Sequence, residues 1–206
     1  MLKVYLGNIE PLRDSGGYEK NLKLVDTGRQ EKIKKYRMVS DRLRGLAAGL
    51  LLREALSREG LEPGVRISEQ KGGKPVLDGG QYFFNISHAG TYAVCALSDC
   101  EVGVDIEEYA RFERRKERNR RIAERIMTPE EWELWSRTES GPELLKIWTR
   151  KESFSKLTGK GLGCDFARID TVNTAFYQEK DIGDSCHLAV CTWEKQKMEE
   201  FVIAFL

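Results

Sequence analysis

No apolar run in this chain approaches the roughly 18 to 20 residues that cross a bilayer, so no membrane span is expected. The opening residues, MLKVYLGNIEPL, turn polar too soon for a secretory leader. Histidine is scarce: His88 and His187 are the only two, too few for a histidine-built metal site. The five cysteines are an odd number and contain no CxxC pair, which excludes a zinc ribbon or disulfide scaffold and points to a reducing, cytoplasmic setting. Cys95 and Cys191 lie in apolar strand-like runs and read as core thiols. A net charge of +1 argues against broad nucleic-acid binding. What is present, 40% hydrophobic and 33% charged residues over 206 positions, suits one sizeable domain or two small halves sharing a core.

The most informative stretch runs from Phe84 to Glu107. It begins with Asn85-Ile86-Ser87-His88, read as a turn at the end of a strand, and closes on Val102-Gly-Val-Asp-Ile-Glu107. Strand alternation puts Val102, Val104 and Ile106 on one face and Gly103, Asp105 and Glu107 on the other. Two carboxylates two residues apart on one face repel unless a cation or proton lies between them. The glycine beside them leaves room for something to approach. These six residues alone fit an acid-bearing edge strand as well as they fit a site.

Around this stretch the chain alternates helices and strands. Residues 2–6 read as a strand. A basic helix carries Arg29, Lys32, Lys34, Lys35 and Arg37, either a solvated face or a seat for a polyanion. From Val39, an apolar stripe (Leu43, Leu46, Ala47, Leu50, Leu51) marks a second helix, with Ser40-Asp41 at its start and Gly60 at its end. A strand over 65–68 and a turn at Lys71–Pro75 follow. Residues 111–125 hold eight Lys/Arg against three Glu, a solvated arm or a docking surface for an acidic partner. Thr128-Pro-Glu-Glu131 is a helix start. A helix from about Pro142 to Thr158 places Trp148, Glu152 and Lys156 near one stripe, and Gly159 stops it. Strands are expected at 166–170, 175–178, 187–193 and 201–206. Short echoes (Val-Arg-Ile-Ser at 65 with Ala-Arg-Ile-Asp at 167, Ala-Val-Cys at 93 and 189) hint at two related halves. In that case the last strand would be the counterpart of VGVDIE, without its acids.

Taken in order, GGKP (72–75), FNISH (84–88), VGVDIE (102–107) and WTRKESFSK with GKGL (148–162) resemble the Sfp-type 4′-phosphopantetheinyl transferases, over residues 29 to 163. The resemblance implies an α+β fold of two pseudo-symmetric halves, each a helix packed on a small antiparallel sheet, with the site in the cleft between them. Residues 1–104 would form the coenzyme A 3′-phosphate and adenine side. Residues 105–206 would supply the metal site, the catalytic helix and the carrier-protein side. It also implies transfer of the phosphopantetheine arm of coenzyme A to a serine of an apo acyl or peptidyl carrier protein, releasing adenosine 3′,5′-bisphosphate, in a monomer. By resemblance Asp105, Glu107 and Glu152 hold Mg²⁺ (or Mn²⁺), a hard cation suited to oxygen ligands. Glu152, directly or through a water, is the candidate base for the carrier serine. Lys156 neutralises the diphosphate, and Glu131, or its neighbour Glu130, is an auxiliary acid. Arg29, Lys32, Arg44, Ser87 and His88 match contacts to the 3′-phosphate, and Gly73 and Lys74 match adenine contacts. Arg111–Arg125 falls where carrier binding begins, and charge reversal at Arg114, Arg115 and Arg118 is expected to raise the carrier KM.

Two other readings fit parts of the pattern. A different Mg²⁺-dependent phosphoryl-transfer enzyme, such as a nuclease, would use the same three acids but leaves FNISH and GGKP without a purpose. A non-enzymatic module binding acidic proteins or RNA would use the basic segments and leave Asp105, Glu107 and Glu152 dispensable.

Overall fold

In the computed structural model, strand β1 (Leu2–Asn8) is covered on both sides: Val4 and Leu6 point into one core and Tyr5 into another. The structure describes residues 1–61, 65–69, 73–113, 116–171 and 173–204. Lys71, Gly72, Arg114, Arg115, Phe205 and Leu206, on which some expectations rest, lie outside them. Helices α1 (Ser15–Leu22), α2 (Thr27–Lys35) and α3 (Val39–Arg58) follow. Next come the short hairpin β2 (Ile67–Glu69) and β3 (Pro75–Leu77), the longer hairpin β4 (Phe83–Ala89) and β5 (Tyr92–Ser98), and β6 (Val102–Glu108). The second half continues with α4 (Lys116–Ile126), α5 (Pro129–Trp135), α6 (Gly141–Thr158), β7 (Phe176–Ile182), β8 (Cys186–Thr192) and β9 (Glu200–Ala204).

The larger sheets, ordered β4-β5-β1-β9 and β6-β8-β7, pack face to face. Leu2, Val4, Leu6, Val94 and Ala96 of one meet Val102, Val104, Ile106, Leu188 and Val190 of the other. Helix α3 covers the outer face of the first sheet, on Tyr5, Phe84 and Cys95. Helix α6 covers the outer face of the second, on Cys191 and Tyr177. The result is a helix–sheet–sheet–helix stack in which the alternation in VGVDIE separates an apolar inter-sheet face from a polar face under α6. No helix among the described residues is long and apolar enough to cross a membrane.

The Ala-Val-Cys echo is structural. Ala93-Val94-Cys95 lies opposite Gly7-Leu6-Tyr5 on β1, and Ala189-Val190-Cys191 lies opposite Asp105-Val104-Gly103 on β6. The counterpart of VGVDIE is therefore β1, not the last strand, and Gly7 stands where Asp105 would be. Strand β9 instead adds to β1 in parallel, an edge that has no equivalent beside β6. Three further expectations change. Residues 85–88 are strand, and the turn comes at Gly90, with φ +53°. The strand expected at 166–170 is a 3-10 turn over Phe166–Arg168, because Lys151 Nζ takes the carbonyls of Phe166 (2.8 Å) and Ile169 (2.7 Å) that a neighbouring strand would need. Met38, not Ser40 or Asp41, is the N-cap of α3, without a side-chain cap bond. The second sheet takes all of β6, Val102–Glu108.

Candidate active site

A cavity of about 640 Å³ opens along the seam between the halves. Its floor is made by two strands that share no ladder: the Asn85 side chain of β4 accepts the Val104 N–H of β6 at 2.9 Å. Two residues on, Ser87 Oγ donates to Asp105 Oδ1 at 2.8 Å. Lys156, reaching in from α6, donates to Ser87 Oγ at 2.6 Å and to Asp105 Oδ1 at 2.7 Å. Asp105 is only 4% exposed, and its Oδ2 has no hydrogen-bond partner. Helix α6 comes this close because of Gly103: a Cβ there would stand 2.0 Å from the Ser153 carbonyl. The room the glycine leaves is thus filled by the helix.

Glu107 accepts from Trp148 Nε1 at 3.0 Å and pairs with Arg111. The Arg111 guanidinium lies 4.5 Å from the centre of the Trp148 ring, a cation–π contact that Phe166 and Phe112 buttress through the indole. Desolvation, then the charge of Asp105, pushes the Glu107 pKa up to about 7 despite these donors. Glu152, one turn before Lys156, lines the same cavity, and burial followed by Asp105 raises its pKa as well. Burial is the larger cause of both shifts, and the neighbouring Asp105 charge adds to it.

The opposite wall is basic. Arg29, Lys32 and His88 line it with Tyr36. The Arg29 stem crosses Gly49 of α3, where a Cβ would stand 2.6 Å from its Cδ, and its buried Nε has no hydrogen-bond partner. Arg44 does not line the cavity. It donates to the Gly90 carbonyl at 3.1 Å and pairs with Asp41, and its Nε also has no hydrogen-bond partner. Enclosure by the cavity walls, then the charges of Arg44 and Lys156, hold the His88 pKa below its ordinary value. Gly73 and Lys74 lie at the cavity edge, but Lys74 Nζ donates to the Leu157 carbonyl at 2.8 Å, near the C-terminus of α6. Only its stem and backbone remain for a ligand.

Glu131, like Arg44, lies outside the cavity. Its Oε2 accepts the Thr128 N–H (3.0 Å) in a capping box and pairs with Lys151 (2.7 Å), and its Oε1 accepts from Thr171 (2.7 Å). With every acceptor engaged and 8% exposure, it anchors α5 to α6 rather than facing the cavity. Its neighbour Glu130 is exposed and outside the cavity too. Sequence reasoning put Trp148 on the stripe of Glu152 and Lys156 and Arg111 in the carrier segment, but missed their contacts to Glu107 and the roles of Asn85 and Lys151. Asn85 and Trp148 find their partners Val104 and Glu107 across 19 and 41 positions, Arg111 pairs with Glu107 only four residues away, and Lys151 points away from the stripe that carries Glu152 and Lys156.

Among the described residues no three His, Cys, Asp or Glu side chains form a closed metal cluster; Lys156 and Arg111 hold Asp105 and Glu107 instead. The donor set nevertheless fits a hard divalent cation: all-oxygen ligands, an unpartnered buried Asp105 Oδ2, and two neighbouring carboxyls with raised pKa.

Comparison with known proteins gives a consistent result. Residues 101–206 match the family model described as the 4′-phosphopantetheinyl transferase superfamily, and residues 11–100 match that of a 4′-phosphopantetheinyl transferase N-terminal region. The two matches meet at the turn before β6. The chain is 30% identical over 167 residues to a 4′-phosphopantetheinyl transferase of Bacillus subtilis, covering 78% of this chain and 72% of that protein. It is 28% identical over 170 residues to the 4′-phosphopantetheinyl transferase Sfp of Bacillus subtilis strain 168, covering 80% and 72%. It is also similar to the L-aminoadipate-semialdehyde dehydrogenase-phosphopantetheinyl transferase of Xenopus laevis, 32% identical over 173 residues, covering 71% of this chain and 53% of that protein.

Proposed function

The chain belongs to the 4′-phosphopantetheinyl transferase superfamily, and from that premise we propose how its own cleft carries the reaction. The enzyme moves phosphopantetheine from coenzyme A to a serine of a carrier protein. The serine oxygen attacks the phosphorus that bears the pantetheine arm, the P–O bond to the bridging oxygen breaks, and adenosine 3′,5′-bisphosphate leaves. Glu152, which lines the cavity one turn before Lys156, receives the serine proton, directly or through a water. Lys156 offsets the charge that gathers on the departing phosphate. Asp105, Glu107 and Glu152 would hold Mg²⁺, or Mn²⁺ in its place, which when bound would supply positive charge to offset that of the diphosphate. Arg29, Lys32 and His88, which line the basic wall, receive the 3′-phosphate; Arg44, held to Gly90 and Asp41 outside the cavity, contributes its charge from beside His88.

The observation that carries this reading is the single cavity in which three acids and Lys156 face a basic wall. Its size and two-sided charge suit a molecule with phosphates at two places. Intact-mass measurement of an apo carrier incubated with coenzyme A and Mg²⁺ tests it. One added phosphopantetheine is the expected result, and no gain on any of a panel of fatty-acid, polyketide and peptide-synthetase carriers would refute it. Because both halves of the cleft lie in one chain, a monomer suffices. The five free cysteines fit a cytoplasmic setting.

The carrier docks, on this reading, on α4, where Lys116, Arg118, Arg121 and Arg125 are exposed. Reversing Arg118, Arg121 and Arg125 to Glu should raise the carrier KM about tenfold, more at low salt, and leave coenzyme A affinity unchanged. Carrier kinetics equal to wild type would remove α4 from the interface.

A further inference from the structure

We propose that Ser87 is a positioning residue for Asp105 rather than a contact for the coenzyme A 3′-phosphate. The inference rests on the transferase reading and concerns how the two halves set the geometry of the acid site. Ser87 is 7% exposed, and its hydroxyl is already committed at both ends. It donates to Asp105 Oδ1 at 2.8 Å and accepts from Lys156 Nζ at 2.6 Å. Lys156 also reaches Oδ1, at 2.7 Å, so two donors converge on one oxygen of the carboxylate. The other oxygen, Oδ2, is buried and has none.

That asymmetry fixes the carboxylate plane and leaves one oxygen available to a cation. Asn85 sets the frame. Its side chain and that of Ser87 leave the same face of β4, two residues apart, and both cross to β6, one to the Val104 backbone and one to the Asp105 side chain. The Asn-x-Ser pair thus does the work of a backbone ladder between strands of different sheets. His88, on the other face of β4, is left to meet the basic wall. Adjacent residues of one strand serve two ends of the ligand: 87 the acid site, 88 the phosphate pocket.

The test compares wild type, Ser87→Ala and Ser87→Thr in three measurements: Mn²⁺ binding by EPR of the free ion, kcat and KM for coenzyme A, and the same for 3′-dephospho-coenzyme A. Loss of a hydrogen bond behind a metal ligand weakens binding about 10- to 100-fold, so Ser87→Ala should bind Mn²⁺ at least about tenfold more weakly. Its kcat should fall by the same factor on both substrates, leaving their kcat/KM ratio at the wild-type value. Ser87→Thr keeps the hydroxyl and should recover Mn²⁺ binding. A ratio that collapses toward one while Mn²⁺ binding is unchanged would make Ser87 a phosphate contact and overturn the inference. Wild-type behaviour of Ser87→Ala in all three would overturn it too. If wild type itself transfers nothing from either substrate, the transferase reading fails, and the Mn²⁺ measurement still judges Ser87.

Discussion

An Asp105→Ala variant should remain folded and lose about 10²- to 10³-fold in kcat, in line with removal of a preorganised electrostatic group from a buried site. Asp105 is the point at which three elements meet: Ser87 of β4, Lys156 of α6 and its own strand β6. Removing it deprives Lys156 of its anchor and takes away the one buried carboxylate oxygen that has no other task. The fold should tolerate the loss, because Lys156 is 28% exposed and can hydrate its ammonium, and because the Asn85–Val104 bond still ties the strands. Burial raises Glu107 and Glu152 most, and Asp105 adds a like charge; removing it should lower both pKa values. Intact carrier mass after timed incubation gives the rate, and circular dichroism gives the melting point. Transfer within tenfold of wild type, in a folded variant, would remove Asp105 from the chemistry.

Local rules made much of this site readable. The period of two in VGVDIE assigned its faces correctly: Val102, Val104 and Ile106 are in the inter-sheet core, and Asp105 and Glu107 face the cavity. Proline near the start and a left-handed glycine at the end bounded α6, with Gly159 at φ +69°. Long-range pairing was hidden. Asn85 and Ser87 are turn formers by local preference, and only the strand 19 residues later, at Val104, gives their side chains a different use. Lys74 matches an adenine contact by resemblance, yet its Nζ donates to the Leu157 carbonyl, 83 residues away. Glu131 and Lys151 satisfy each other across 20 positions, and that buried pair also redirects residues 166–169 from strand to turn. The pairing of β9 with β1 joins the two ends of the chain, which no periodicity in either strand records.

Gly103→Ala should damage stability and catalysis together. The added Cβ would stand 2.0 Å from the Ser153 carbonyl oxygen, 2.5 Å from the Leu157 amide nitrogen and 3.0 Å from the Leu157 Cα. All three are backbone atoms of α6, so no side chain can swing aside, and the helix itself must lift from β6. Overpacking a core costs about 1–3 kcal/mol and occasionally more. A rigid backbone neighbour puts this case at the upper end, about 3 kcal/mol, which for a chain of this size is about 6–12 °C in Tm. The helix that moves carries Glu152 and Lys156, so the surviving folded fraction should show a kcat lowered about tenfold or more, as small displacements of reacting groups do. Gly163→Ala is the control: its φ is not in the left-handed region and an added Cβ meets nothing within 4 Å, so Tm and kcat should stay near wild type. Differential scanning calorimetry and the carrier-mass assay, run on both variants, separate the outcomes. A Gly103→Ala protein that melts and turns over like wild type would mean that α6 can shift without disturbing the acids, and the rigid seating of Lys156 on Asp105 would have to be abandoned.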